Sequence, residues 1–338
     1  MTTTAPLAGE PARDVASPRG RYAPSPTGLL HVGNARTALV AWLSVRSRGG
    51  SFVWRLEDLD PPRVAPGAAE AAVEDLAWLG LDWDEDPASG GPFGPYVQSE
   101  RSDVYEAALQ VLHDAGRLFP CTLSRRELQS ISSAPHAGEE EAPYPASLRP
   151  AHLEPGWYEA LKRSPSPGAA IRFRVDEAPV RFADRLRGQV EERVAGDFVL
   201  KRRDGLYAYQ LAVVVDDWLM RIDEVVRGSD LFSSTARQLQ LVDALGGQRP
   251  AHAHVPMVVT EAGEKLSKRD EALTLRSLRA SGVRASQLVG YLAWTLGLVE
   301  RPVAVSASEL VEAFSWAAVR TDDFRLPRDF PERVRAVR

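Results

Sequence analysis

The chain has 338 residues, a formal net charge of -5 and a hydrophobic fraction of 44%. This composition is ample for a buried core, and no apolar run approaches the length of a membrane span. The single cysteine, Cys121, excludes an internal disulfide framework, and the Thr-, Ala- and Pro-rich start lacks the basic-then-apolar order of a secretion signal. We therefore expect a cytoplasmic protein.

The first elements of the chain alternate between strand and helix. Residues 1–18 show no apolar periodicity and are predicted to form a disordered tail. A strand containing Tyr22 then leads through a Pro- and Gly-rich turn into an amphipathic helix that begins at about His31. A second strand and a second helix are predicted over 51–56 and 68–79. This alternation predicts an α/β fold with a doubly wound parallel sheet, whose first half spans 19–116.

The rest of the chain is predicted to contain an insertion, a second sheet half and a cap. A low-complexity loop with three consecutive glutamates covers 132–145. Strand-like alternation returns at 170–175, and the continuous apolar run 211–215 predicts a central buried strand. The predicted divisions are an insertion over 117–168, a second sheet half over 169–276 and a small helical cap over 277–338.

A run near the start of the chain has the form of a phosphate-binding turn. It extends from Arg21 to Gly28 and continues as His31-Val-Gly-Asn34. Because the chain passes here from strand through turn into helix, the positive end of the helix faces the turn. His31 can donate a hydrogen bond to a phosphate oxygen, and Gly33 lets a nucleotide approach the backbone. The run therefore predicts a site for a triphosphate.

A second run, Lys265-Leu-Ser-Lys-Arg269, lies more than two hundred residues later. Its two lysines place ammonium groups on a loop. Such groups can neutralise phosphate charge as it shifts during a displacement reaction. The two runs together predict a nucleotide site built from distant parts of the chain.

These runs, in their order, resemble the two signature sequences of class I aminoacyl-tRNA synthetases. The sequence between them resembles the glutamyl branch of this family. Four runs carry this resemblance: Arg55-Leu-Glu-Asp58, Asp197-Phe-Val-Leu, the run from Tyr207 to Asp217, and Glu224-Val-Val-Arg-Gly228. The resemblance covers roughly Arg19 to Arg276. Asn34 stands where many class I enzymes have a second histidine, a departure that is usual within the glutamyl branch.

Length indicates which members of the branch the chain resembles. The short remainder after Arg276 leaves no room for the helical anticodon-binding domain of a full glutamyl enzyme. The chain thus resembles the truncated paralogues, the glutamyl-Q tRNA(Asp) synthetases. The resemblance implies ATP-dependent activation of L-glutamate and its transfer to queuosine in the anticodon loop of tRNA(Asp). Two alternatives stay open: a truncated enzyme that charges a tRNA 3' end, and a non-catalytic RNA-binding paralogue.

The resemblance also implies roles for individual residues. It implies His31, Lys265 and Lys268 as catalytic residues. ATP binding is carried over to His31, Gly33, Asn34 and Lys268, and glutamate binding to Arg21, Ser25, Glu57, Tyr209 and Arg227. A guanidinium can grip a carboxylate with two hydrogen bonds, and a carboxylate can hold an ammonium group. The alternatives are an ion pair in a polar core for Glu57 and Arg227, and a core aromatic for Tyr209.

The resemblance implies magnesium with ATP, but the chain departs from the pattern of a zinc site. Many of the related enzymes bind zinc in the insertion through a Cys-x-Cys pair, a tyrosine and a cysteine four residues later. Here the four positions are Cys121, Leu123, Tyr144 and Leu148. Leucine cannot ligate a metal, so we expect no zinc and an insertion held by apolar packing. His136 and His152 are interpreted as exposed loop residues, and His252 with His254 as a weak metal candidate.

Overall fold

The computed structural model describes residues 17–124, 126–128, 144–163, 168–266 and 271–338. Lys268 and His136, nearly all of the predicted tail and most of the predicted acidic loop lie outside the described residues. Within the described ranges, no helix is both long enough and apolar enough to cross a membrane.

The strands of the described chain belong to three sheets. In chain order they are β1 (Arg19–Tyr22), β2 (Ser51–Trp54), β3 (Leu118–Cys121), β4 (Ala170–Phe173), β5 (Val180–Asp184), β6 (Gly188–Glu192), β7 (Phe198–Lys201), β8 (Glu224–Gly228), β9 (Ala251–Val255), β10 (Val258–Val259) and β11 (Phe324–Arg325). The central sheet has the order β2-β1-β8-β9-β5-β6. Its neighbours pair in parallel except for the β5–β6 hairpin at one edge.

Helices cover both faces of this central sheet. The described helices are α1 (Val32–Arg46), α2 (Ala68–Trp78), α3 (Ser102–Asp114), α4 (Trp157–Arg163), α5 (Tyr209–Leu219), α6 (Thr235–Ala244), α7 (Leu275–Ala280), α8 (Ala285–Leu296) and α9 (Phe330–Arg335). On β8, Val226 packs into the core that contains α1. Val225, the preceding residue, faces α5 and α6. Successive strand residues point to opposite faces, so the sheet is covered on both sides as a doubly wound fold requires.

The prediction of a buried strand at 211–215 is wrong, because this run lies within helix α5. Every residue from Leu211 to Trp218 in α5 is buried. The helix packs against α3, α6 and the sheet formed by β3, β4 and β7, so its apolar residues need no polar side. A wholly buried helix and a wholly buried strand give the same short apolar run, and periodicity alone cannot separate them.

A second, antiparallel sheet lies beside the central one, in the order β3-β4-β7. It pairs β3, from the predicted insertion, with two strands from beyond the predicted boundary at 168. The division of the chain at that residue stays a prediction.

The C-terminal segment docks on α1 and on the strand that precedes the lysine loop. Strand β11 pairs with β10. Arg36 of α1 is buried and donates to Pro256 O at 2.6 Å and to Thr295 Oγ1 of α8 at 3.2 Å. A Cβ at Gly290 would lie 1.7 Å from Val303 O, so the chain after α8 can approach this helix only at a glycine. These contacts fix α8 against the helix that begins beside His31.

Candidate active site

His31 caps the helix that was predicted to face a phosphate. It is extended, with φ -114° and ψ 175°, and its Nδ1 accepts from the amides of Gly33 at 3.0 Å and Asn34 at 3.4 Å. The Asn34 side chain in turn accepts from the His31 amide at 3.0 Å. An accepting Nδ1 carries no proton, so the neutral imidazole has its proton on Nε2. The cap therefore defines Nε2 as the donor atom of the neutral His31 ring.

Gly33 is required by this cap. A Cβ at this position would lie 2.9 Å from His31 Cε1 and 3.0 Å from its Nδ1, closer than a side chain tolerates. The sequence indicated a glycine that admits a nucleotide. The structure adds that the same glycine makes room for the histidine ring.

Both flanks of the lysine loop lie against the start of α1. Thr274, after the loop, forms a β-bridge with His31, and the Leu275 amide donates to Leu30 O at 2.9 Å. At the start of the loop, Lys265 forms a β-bridge with Val259, whose neighbour Val258 lies next to Gly33. The structure thus brings together the residues around the two signature runs, although Lys268 itself lies outside the described part.

Lys265 is ion-paired with Asp230. Asp230 belongs to a short 3-10 helix that directly follows β8, the strand that carries Arg227. The lysine side chain is 64% exposed. The pair therefore joins the lysine loop to the carboxyl end of β8 at an accessible position.

The predicted glutamate-binding residues lie at the carboxyl ends of β1, β2 and β8. Arg21 and Arg227 are buried strand residues, and Glu57 lies shortly after β2. Tyr209 is the first residue of α5. Burial raises the pKa of its hydroxyl, Arg227 and Arg21 oppose that shift, and Glu57 adds to it. The four side chains are thus electrostatic neighbours.

Ser25 also lies at this edge, and its side chain is exposed. Its chain neighbour Pro24 accepts from the Glu57 amide at 3.2 Å. This backbone contact brings the turn after β1 alongside the end of β2.

Arg21 and Glu57 belong to a group of buried charges that we call the carboxylate cluster, formed by Arg21, Arg55, Glu57 and Asp217. Arg55 contacts Glu57 at 2.9 Å and Asp217 at 2.8 Å, and Arg21 contacts Asp217 at 3.2 Å. Burial opposes ionisation of Asp217, but the two guanidinium groups hold its pKa below the usual value. Burial raises the pKa of Glu57, and Arg55 opposes that shift. For Glu57, the ion pair considered from the sequence is present.

Arg227 lies in a different setting, which we call the Arg227 cradle: Arg227 with Thr235, Gln238 and His254. Its Nε donates to His254 Nε2 at 3.0 Å, Nη1 to Gln238 Oε1 at 2.7 Å and Nη2 to Thr235 Oγ1 at 2.9 Å. None of these partners carries a negative charge, and burial lowers the pKa of the guanidinium. In the described chain, no carboxylate lies within ion-pair distance of Arg227. The core ion pair considered for Arg227 is therefore not what the structure shows.

Sequence reasoning gave no role to several residues of these two groups. Arg55 and Asp217 stand within runs that carry the resemblance, but the sequence predicted no role for either residue. His252 and His254 do share a face of β9, with ring centroids 6.0 Å apart, as their alternation suggested. His254 is bonded to Arg227 and Asp184. Among the described residues, no group of three or more His, Cys, Asp or Glu side chains could hold a metal ion.

The four positions of the zinc pattern converge in the insertion. Cys121, Leu123, Tyr144 and Leu148 belong to one apolar cluster, which also contains Phe119. The Tyr144 hydroxyl donates to the Leu148 carbonyl at 2.6 Å. The cluster offers one thiol and one phenol oxygen, whereas structural zinc takes four N, S or O donors.

Comparison with known proteins extends this picture. A family model described as the catalytic domain of class I tRNA synthetases (E and Q) matches residues 18–318. The glutamyl-Q tRNA(Asp) synthetase of Symbiobacterium thermophilum is 45% identical over 313 residues, which cover 92% of this chain and 96% of that protein. The protein of the same name from Nitratidesulfovibrio vulgaris is 44% identical, with 94% and 98% coverage. A crystal structure of a glutamate tRNA ligase from Elizabethkingia meningosepticum, in complex with its amino acid, matches with a TM-score of 0.81 and 28% identity, over 94% of this chain and 68% of that chain.

Proposed function

The chain belongs to the class I tRNA synthetases for glutamate and glutamine, and from this premise we propose that it activates L-glutamate with ATP and transfers it to queuosine in tRNA(Asp). It is an enzyme of the ligase type. The queuosine-bearing anticodon loop as acceptor is supported by the names of the relatives that match nearly all of the chain. We propose that the reaction takes place in the cytoplasm.

The observation that carries glutamate as the substrate is the setting of Arg227. A buried charge is normally paired, because burial of an unpaired charge is costly. Arg227 is 5% exposed and its bonded partners are neutral. A carboxylate from a bound substrate supplies the missing partner through two parallel hydrogen bonds. An amide side chain carries no negative charge to pair with the guanidinium, so the setting favours glutamate over glutamine.

In the proposed first step, an oxygen of the glutamate α-carboxylate attacks the α-phosphorus of ATP. The bond to pyrophosphate breaks, and glutamyl-adenylate forms. His31 would donate from Nε2 to a phosphate oxygen, and Lys265 with Lys268 would neutralise the departing pyrophosphate. Gly33 and Asn34 hold His31 in place through the helix cap. In the second step a queuosine hydroxyl attacks the activated carbonyl, and AMP leaves.

The binding of glutamate follows from the charges beside this site. We propose that Arg21 and Arg227 hold its carboxylates, that Glu57 holds its ammonium group, and that Ser25 and Tyr209 add hydroxyl contacts. The raised pKa of the Tyr209 hydroxyl keeps it protonated, so it can donate to a carboxylate. Because Glu57 already contacts Arg55, the ammonium group would share this carboxylate with the guanidinium.

Metals enter this proposal in two ways. Magnesium would arrive with ATP, since this ion is usually bound through substrate phosphates and water. Zinc does not fit the insertion, where two of the four positions are leucines. We propose that apolar contacts among Phe119, Cys121, Leu123 and Leu148 hold the insertion in its place.

The test is a purified-enzyme assay with labelled glutamate and two forms of tRNA(Asp). Label is expected on tRNA that carries queuosine, and it is expected to persist when the terminal adenosine has been removed. Label that requires an intact 3' end, with or without queuosine, would identify the acceptor as the terminal ribose. Glutamate-dependent exchange of pyrophosphate into ATP tests the activation step alone, and its absence would overturn the proposed enzyme activity.

A further inference from the structure

A buried row of three side chains crosses neighbouring strands behind the proposed glutamate site. Arg227 lies on β8, His254 on β9 and Asp184 at the end of β5, and these strands are adjacent in the central sheet. Arg227 Nε donates to His254 Nε2 at 3.0 Å, and His254 Nδ1 lies 2.6 Å from Asp184 Oδ2. The His254 and Asp184 side chains are fully buried.

The chemistry of the row permits one arrangement of protons. A guanidinium N–H can only donate, so Nε2 of His254 must accept and carries no proton. The Thr235 hydroxyl lies 3.1 Å from the same nitrogen and accepts from Arg227, so it can donate its own proton to Nε2. The imidazole proton then lies on Nδ1 and is donated to Asp184. Burial lowers the pKa of His254, which keeps the ring neutral. Burial opposes ionisation of Asp184, but its bonds to His254 and to the Leu186 amide lower its pKa, so the carboxylate is charged and accepts.

The imidazole also separates the Asp184 carboxylate from the guanidinium. A carboxylate in direct two-point contact with Arg227 would occupy the fork that a substrate carboxylate needs. The neutral imidazole accepts a hydrogen bond only from the Nε–H of Arg227. Thr235 accepts one hydrogen bond from Nη2, and Gln238 accepts one from Nη1. The guanidinium is thus oriented by neutral contacts, and its positive charge is not matched by a bonded anion.

We propose that Asp184 and His254 are positioning residues for glutamate recognition: Asp184 fixes the Nδ1–H tautomer of His254, and that tautomer orients the Arg227 guanidinium toward the substrate carboxylate. The inference rests on the proposed function, since it assumes that Arg227 binds glutamate. It assigns these residues no contact with substrate.

The sharpest variant is Asp184→Asn, because it changes a single donor relationship. Asp184 Oδ1 accepts from the amides of Leu186 at 2.9 Å and Arg187 at 3.1 Å. An asparagine keeps that oxygen, but its amide nitrogen would donate to His254 Nδ1 and force the proton onto Nε2. Two donors would then face each other at Arg227. We expect the KM for glutamate in pyrophosphate exchange to rise about tenfold or more, with the KM for ATP unchanged.

A matched control is Asp114→Asn. Asp114 contacts His113 Nδ1 at 3.0 Å on the exposed surface of α3, so it reproduces an aspartate–histidine contact away from the site. This variant is expected to keep both KM values of the wild type.

Two substitutions of His254 distinguish positioning of Arg227 from a purely structural role. His254→Gln places an amide oxygen near the position of Nε2 and can still accept from Arg227. His254→Asn places an amide nitrogen near the position of Nδ1 and can still donate to Asp184. The proposal predicts a lower KM for glutamate in His254→Gln than in His254→Asn. The opposite order would show that an acceptor at the Nε2 position does not orient Arg227, and would overturn the proposal.

A measurement on the unmutated protein covers the case in which the variants do not fold. Nitrogen NMR of histidine-labelled protein is expected to show His254 with its proton on Nδ1, and a proton on Nε2 would refute the assignment. An unchanged KM for glutamate in folded Asp184→Asn would also refute it. Both results leave the proposed function intact, whereas a wild-type enzyme without glutamate-dependent exchange would contradict the proposed function itself.

Discussion

Arg55 and Arg227 are both buried at the carboxyl edge of the central sheet, but they lie in opposite electrostatic settings. In the carboxylate cluster, Arg55 contacts Glu57 and Asp217 directly. In the Arg227 cradle, the guanidinium contacts a histidine, a glutamine and a threonine. The first arrangement satisfies its charges within the protein. The second leaves a guanidinium without a bonded anion, and under the proposed function this difference separates a supporting arginine from one that binds the substrate.

The largest effect is expected from Arg55→Ala, which should chiefly reduce stability. The change removes the cation between Glu57 and Asp217, and breaking a buried pair in this way costs about 3–5 kcal/mol. Denaturant unfolding measures the loss. Arg181→Ala, at the exposed pair with Glu191, is the control and should cost no more than about 1 kcal/mol. Equal losses in the two variants would break the distinction between the cluster and the surface.

Arg227→Ala should chiefly damage recognition. Loss of two charge-assisted hydrogen bonds is expected to lower kcat/KM for glutamate about 1000-fold, with the KM for ATP little changed. Steady-state pyrophosphate exchange measures both constants. Arg227→Lys keeps the charge but not the planar fork, so it should fall between the wild type and alanine. An unchanged KM for glutamate in Arg227→Ala would remove the contrast with Arg55 altogether.

Lys268→Ala sharpens the comparison by testing the phosphate end of the site. Lys268 lies outside the described residues, so its role stays a prediction from the sequence. Its charge is needed most as pyrophosphate departs, and we expect kcat for activation to fall about 100-fold. Glutamate affinity, measured by calorimetry, should change little. An equal loss of glutamate binding would show that this lysine serves the ground state.

The smallest effect is expected from removal of metal. If apolar contacts hold the insertion, dialysis against a zinc chelator should leave the unfolding midpoint and the KM for glutamate unchanged. Thermal unfolding before and after dialysis, with metal analysis of the purified protein, provides the measurement. A lowered midpoint that zinc restores would mean that the insertion binds zinc despite Leu123 and Leu148.

Much of the architecture could be predicted because it follows from short stretches of the amino-acid sequence. The turn after β1 contains prolines and a glycine, and the apolar spacing after His31 is that of a helix. The run 211–215 was misread because α5 is covered on all sides, and a local window does not contain the neighbours that cover it. Helix α1 could be predicted although its residues 38–45 are all buried, because the turn before it and its length are typical of a helix.

Some residues of the candidate site could likewise be predicted from the sequence, and others could not. Arg21, Glu57 and Arg227 were found because they stand in runs with a recognisable order. The neutral setting of Arg227 was not predictable, since the register of β8 against β9 places His254 opposite it, while Thr235 and Gln238 come from α6. Asp184 is seventy residues from His254 and reaches it only through the pairing of separate strands. The sequence shows that such residues are present but does not show which of their side chains are in contact.

The Lys265–Asp230 pair has a consequence for the kind of anion that this loop can hold. Under the proposed role of Lys265, a phosphate would meet an ammonium group that already has a carboxylate partner, and it would exchange with that carboxylate or share the ammonium group with it. An exposed pair of this kind is worth at most about 1 kcal/mol, so the exchange is easy. A singly charged anion gains little by replacing Asp230, whereas a triphosphate brings several charges to the same lysine. Under the same proposal, Asp230 would act as a competitor that favours highly charged ligands at this lysine.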